Sequence, residues 1–154
     1  MKITDFLTEE AVIPALKARE KDAVLAEMAT GLVANHPALD EKKVLEVLVE
    51  RERISTTAIG EGVAIPHGKL RGVERVLGIF ARSPEGVDFA SLDGGPTHLF
   101  FVLVAPENAA ADHLKALARI ARLLRDQDVA KKLRASRDAQ AIYSVLALPP
   151  ASAA

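Results

Sequence analysis

A chain without cysteine must do any nucleophilic or metal chemistry with imidazole, hydroxyl, carboxylate and amine groups, and these 154 residues contain no Cys. The four histidines are therefore the first candidates. His67 stands apart, in Val63-Ala64-Ile65-Pro66-His67-Gly68-Lys69. Pro66 fixes the backbone just before the ring, and Gly68 leaves room for a ligand to approach the main chain. Near-neutral pKa keeps much of an imidazole as free base, able to attack phosphorus or take a proton. The same residues also suit a plain turn histidine, and Pro-His-Gly alone does not separate the two readings.

His113 falls in the first turn of a helix expected over 110–125, just after a cap from Asn108 or Asp112. Steps of four, three and four from it reach Leu117, Ile120 and Leu124, so it borders the buried stripe. A helix N-terminus has unpaired amides and partial positive charge, which disfavour imidazolium and attract anions such as phosphate. An ordinary histidine at a helix start has the same pattern. Arg51 and Arg53 end another helix, just before Ser55-Thr56-Thr57. The helix dipole alone favours cations there; alternatively, one guanidinium offers planar donors to a phosphoryl group. His36 and His98 read as structural, and Glu61 and Lys69 as solvated loop charges.

The elements that must hold these groups follow from periodicity. Val24, Leu25, Met28, Leu32 and Val33 predict a helix over 20–34, ended by Asn35-His36-Pro37. Asp40 caps a second helix, with Val44, Leu45, Leu48 and Val49 on one face, that fades around 51–53. Residues 54–62 read as short strand and turn, and 63–65 stay extended ahead of Pro66. The apolar runs 76–81 and 99–104 predict strands, the latter covered on both faces. Pro84-Glu85-Gly86 and Asp93-Gly94-Gly95-Pro96 between them predict turns. In the helix over 110–125, Leu114, Leu117, Ala121 and Leu124 are expected on one face; shorter helices follow near 128–135 and 138–147. Strand 99–104 leads straight into that helix, so His113 is expected at the carboxyl end of a central strand, where α/β crevices open. The order predicts one α/β domain in three layers, over 1–148, with 149–154 (PPASAA) as a flexible tail.

Composition narrows the classes. Lys and Arg total 20 against 21 Asp and Glu, so the basic excess of a phosphate-neutralising nucleic-acid binder is missing. Aromatics make up only 4% of the residues, which argues against a stacking platform for bases. No apolar run approaches the roughly 20 residues that span a bilayer. The P-loop, the full dinucleotide fingerprint and H-E-x-x-H are absent. Two histidines could begin a zinc site, but a third ligand is not evident.

Ser55-Thr56-Thr57-Ala58-Ile59-Gly60-Glu61-Gly62-Val63-Ala64-Ile65-Pro66-His67-Gly68-Lys69-Leu70 closely resembles the active-site signature of the IIA component of the bacterial phosphoenolpyruvate-dependent phosphotransferase system, in its fructose/mannitol and nitrogen-regulatory class. Arg51-Glu52-Arg53 upstream and Asp112-His113-Leu114 downstream are similar to that family's flanking elements, and the resemblance runs from about residue 3 to 147. Ser55 stands where relatives often carry Gly.

The resemblance implies a mixed, mainly parallel sheet between helical layers, the mannitol-type IIA fold. It implies that His67 is phosphorylated through Nε2. It makes His113 and Arg51 the stabilisers of the phosphoryl group and Thr57 a hydroxyl contact. It implies no metal or other cofactor, a cytoplasmic setting, and the histidine phosphocarrier protein as donor. Ile59, Val63 and Leu70 are the expected apolar rim for docking it. With no IIB or IIC segment expected in the chain, the resemblance is strongest to the nitrogen-regulatory branch. There the output is phosphorylation-dependent contact with regulatory target proteins. The alternatives are a sugar-branch IIA that passes phosphate to a separate IIB, or a binding module on the same fold without the chemistry.

Overall fold

Two long apolar runs organise the molecule. The computed structural model describes residues 1–148; the tail expected over 149–154 lies outside the described residues. Strands β5 (Leu77–Val87) and β6 (Thr97–Pro106) pair antiparallel and extend past the runs 76–81 and 99–104. β6 is buried nearly end to end, as a strand covered on both faces must be. β1 (Val12–Ile13) runs parallel to β5 on its outer side. β3 (Val63–Ala64) and β4 (His67–Leu70) lie one after the other along the free side of β6, both parallel to it, and β2 (Ala58–Gly60) pairs antiparallel with β3. The mixed six-stranded sheet is parallel in three of its five pairings.

Helices α1 (Lys21–Asn35) and α2 (Glu41–Ile54) cover one face; α3 (Ala110–Arg125), α4 (Gln127–Ala135) and α5 (Ala139–Ala147) cover the other. Asp40 caps α2 as expected, accepting from the amides of Lys42 and Lys43. All five phenylalanines are buried, and Phe80–Phe101 and Phe89–Phe100 meet edge to face.

Two local expectations are corrected, and one stretch left unread is filled in. Pro84-Glu85-Gly86 is not a turn between strands but a bulge inside β5. Between Arg82 and Val87, β5 takes five residue steps where β6 takes two, and Gly86 absorbs the distortion at φ 86°. Two short 3-10 turns (Ile3–Asp5 and Glu9–Ala11) and β1 precede the first helix, in a stretch too short for periodicity to register. The inner face of α3 carries His113, Ala116, Ile120, Leu123 and Leu124; Leu114 points outward and is 68% exposed. Leucines at spacing three admitted both assignments, and the sheet selects the one that buries His113.

The turn between β2 and β3 needs left-handed backbone at Gly60, Glu61 and Gly62. Asp93 staples it, accepting from the amides of Glu61 and Gly95 and from the Ser91 hydroxyl. The Glu61 amide first, then the Gly95 amide and the Ser91 hydroxyl, pull the Asp93 carboxyl down to about 2, so the staple is charged at neutral pH.

Gly78 tests the packing on the α3 face. A Cβ there would come within 2.8 Å of the Phe101 ring and 3.1 Å of the Phe6 carbonyl oxygen, which accepts from the Gly78 amide. The ring can tilt, but the carbonyl is main chain. Overpacking of about 1–3 kcal/mol exceeds the backbone-entropy gain of about 0.4–1 kcal/mol. Gly78→Ala should lower the urea midpoint at unchanged m-value; an equal or higher midpoint contradicts the packing.

Candidate active site

Proline breaks the strand that would otherwise run unbroken along β6. β3 pairs with Leu99 and Phe100, β4 with Leu103 through Pro106, and Ile65-Pro66 joins them. Pro66 has no N–H to give, but its carbonyl still accepts from Leu103. The Ile65 carbonyl is thereby free to accept from the side chain two residues on. His67 Nδ1 lies 2.8 Å from it. A carbonyl only accepts, so Nδ1 carries the proton and the lone pair of the neutral ring sits on Nε2.

His67 and His113 come together, from β4 and the first turn of α3. Their ring centroids are 5.4 Å apart with planes at 75°. His113 is buried, and its Nε2 has no hydrogen-bond partner among the described residues. The side-chain cap expected from Asn108 or Asp112 is not formed: the capping residue is Ala109, without a side-chain bond. The N-terminus of α3 therefore stays open close to the imidazole pair.

Both rings are held below the ordinary imidazole range. For His67 the main cause is burial; the bond to the Ile65 carbonyl opposes it, the Arg51 charge adds to it and the Glu52 charge opposes it. For His113 burial leads, followed by the charges of His67 and Lys69. Two neutral rings side by side avoid the repulsion that two imidazoliums would suffer.

Arg51, in the last turn of α2, is half-buried and donates to the Ser55 carbonyl at 2.9 Å. Its neighbour Glu52 went unread in the sequence, though one signal was available: a carboxylate in the last turn opposes the helix dipole and needs a specific partner. It has two. The buried Glu52 carboxylate accepts from the Thr57 amide at 3.0 Å and from the Thr57 hydroxyl, and pairs with Lys21 Nζ at 3.0 Å. Lys21, from the start of α1, also lies over the Phe89 ring, 4.9 Å from its centroid. Thr57 is buried, its hydroxyl turned to Glu52.

Gly68 is used otherwise than expected. A Cβ there would meet Val47 of α2 at 3.1 Å, so the missing side chain admits α2 and not a ligand. The apolar rim also differs. Val63 and Leu70 are buried and Ile59 partly so; the exposed apolar side chains beside site residues are Leu114 and, at 81% exposure, Ile54. His98 donates through Nδ1–H to the Ser83 carbonyl, 2.9 Å away and on β5, and His36 caps the end of α1. Neither joins the pair. Among the described residues no three His, Asp or Glu side chains gather to hold a metal ion, and no helix is long and apolar enough to cross a membrane.

Comparison with known proteins gives a consistent picture. The family model described as "Phosphoenolpyruvate-dependent sugar phosphotransferase system, EIIA 2" matches residues 5–148. A nitrogen regulatory protein of Bradyrhizobium diazoefficiens is 62% identical over 154 residues, covering all of both chains. The crystal structure of the nitrogen regulatory protein IIA-Ntr from Neisseria meningitidis superposes with a TM-score of 0.87 at 30% identity, over 94% of this chain and 98% of that one. The IIA of the Escherichia coli complex of enzyme IIAMtl with phosphorylated enzyme IIBMtl shares the fold, with a TM-score of 0.77 at 23% identity over 92% and 96% of the two chains.

The charges around His67 make opposite predictions. Arg51→Gln removes a cation and should raise the His67 pKa; Glu52→Gln removes an anion and should lower it further. NMR titration of the ring nitrogens reads both. Shifts of the same sign in the two variants contradict the arrangement.

Proposed function

The chain belongs to the EIIA 2 family of the phosphoenolpyruvate-dependent sugar phosphotransferase system, and we propose that it carries a phosphoryl group on Nε2 of His67. The observation that supports this most directly is the bond from His67 Nδ1–H to the Ile65 carbonyl, which leaves Nε2 as the only nucleophilic atom of a neutral ring.

The donor in this reading is the histidine phosphocarrier protein. The Nε2 lone pair attacks the phosphorus of its phosphohistidine. The donor's P–N bond breaks, and its electron pair returns to the donor nitrogen. No proton moves, because His67 keeps its own on Nδ1. The bond made is of the same kind as the bond broken, so the step is nearly balanced in energy. It needs alignment and charge stabilisation and no metal. Arg51 supplies the guanidinium for the equatorial oxygens, and the buried His113 supplies an imidazole beside them. Thr57, whose hydroxyl meets Glu52 in the unphosphorylated chain, contributes by holding the end of α2 that carries Arg51.

The output is regulatory. The 62% identity to a nitrogen regulatory protein, over the full length of both chains, supports phosphorylation-dependent contact with target proteins in the cytoplasm over transfer toward a sugar. Passage of phosphate to a separate IIB is the second reading, favoured by the shared fold of the IIA that pairs with phosphorylated IIBMtl.

Incubation with phosphoenolpyruvate, enzyme I and the phosphocarrier should add one acid-labile group of about 80 Da, a single phosphoryl. The gain should be absent in His67→Ala and slowed in His113→Ala, where the nucleophile remains. No gain on the wild-type chain sinks the proposal.

Its pH dependence has a definite sign. A lowered pKa leaves most of His67 neutral at 6.5, so the acid limb of the acceptance rate should be centred below 6.5. A single-turnover profile with its acid limb centred at 6.5 or above contradicts it.

A further inference from the structure

A second concavity lies far from the imidazole pair. It is a cleft of about 600 Å³ at the other ends of the two elements that frame the site. His98 opens β6 on the cleft, five residues before the Leu103 that pairs with His67, about 17 Å along the strand. Arg125 ends α3 there, twelve residues after His113, about 18 Å along the helix. The volume falls within the roughly 300–1,000 Å³ typical of small-ligand sites.

Its lining is strongly cationic in a chain of net charge −1. Arg82, Arg125, Lys131 and Arg134 face a single carboxylate, Glu61. Among the described residues none of the four cations pairs with an acidic side chain within 4.0 Å, and neither does Glu61 with a basic one. Helix C-terminal dipoles account for Arg125 and Arg134, which sit in the last turns of α3 and α4. They do not account for Arg82, which stands on a strand, or for Lys131. Arg82 is also pre-oriented. Its Nε donates to the Arg134 carbonyl at 3.0 Å and one terminal nitrogen to the Pro14 carbonyl at 3.1 Å, so a partly buried guanidinium is fixed at the bulge of β5.

We propose that this cleft binds a small, multiply phosphorylated anion. Three guanidinium groups and an ammonium around one concavity suit the bidentate geometry of phosphate oxygens. The local excess of three positive charges matches a pyrophosphate or bisphosphate better than a monoanion. Among the described residues no Phe, Tyr or Trp lines the cleft, and its one ring, the His98 imidazole, is tied through Nδ1 to the Ser83 carbonyl, so recognition rests on the phosphates more than on stacking of a base. The proposal is independent of phosphoryl transfer at His67.

The test titrates the full chain with inorganic pyrophosphate, a hexose bisphosphate and citrate by calorimetry. About 0.1 M salt, where the screening length is about 10 Å, suppresses diffuse attraction. At least one phosphorylated probe should bind at a single site. Its affinity should be at least about tenfold weaker in the Arg125→Gln/Lys131→Gln double variant, as losing two charge-assisted donors implies, and unchanged in His67→Ala. Both substituted side chains are exposed, and circular dichroism checks that the variant keeps its fold. Equal affinity in the wild type and the double variant, or no binding of either phosphorylated probe, overturns the proposal. So does citrate binding as tightly as the phosphorylated probes. Binding of poly-glutamate without response to any small probe also overturns it, in favour of a docking face for an acidic protein segment.

Discussion

The hydrogen bond between His67 Nδ1–H and the carbonyl two residues before it, 2.8 Å long, is the contact on which the site depends. It sets the tautomer, the ring orientation and the identity of the exposed nitrogen together. It exists because a proline interrupts the edge of a parallel ladder. The carbonyl of Pro66 continues the pairing with β6 while that of Ile65 turns to the imidazole. Backbone that gave up one ladder bond holds the imidazole in place.

The rest of the site is built from ends. Arg51 and Glu52 occupy the last turn of α2, His113 the first turn of α3, and Lys21 the start of α1. Such positions lie at helix termini and would fray if left alone. The Lys21–Glu52–Thr57 network ties the end of α2 to the loop that leads into β2. Burying the carboxylate is tolerable because donors on two other segments satisfy it. Removing either donor would leave it costly where it stands.

Much of this was legible in the residues. The helices and the two long strands follow from spacing, and the His67, His113 and Arg51 constellation from residue type and motif. What escaped has physical causes. Glu52 went unread because its partners lie 5 and 31 positions away in sequence. Gly68 looked like an opening because glycine signals close approach without saying by what; Val47 answers that only in three dimensions. Leu114 fell on the wrong side of α3 because leucines at spacing three permit two stripes. Pro84-Glu85-Gly86 carries turn chemistry, yet β6 holds both flanks of it and makes it a bulge. Each error comes from a long-range contact overruling a local preference.

The tethered tautomer has a further consequence. One nitrogen of His67 is tied to the main chain, and α2 closes the opposite face of its strand at Gly68. On the proposed reading a phosphoryl group enters and leaves only through the remaining nitrogen, on one side of the sheet, so a donor and any acceptor would compete for one berth and their visits would be sequential.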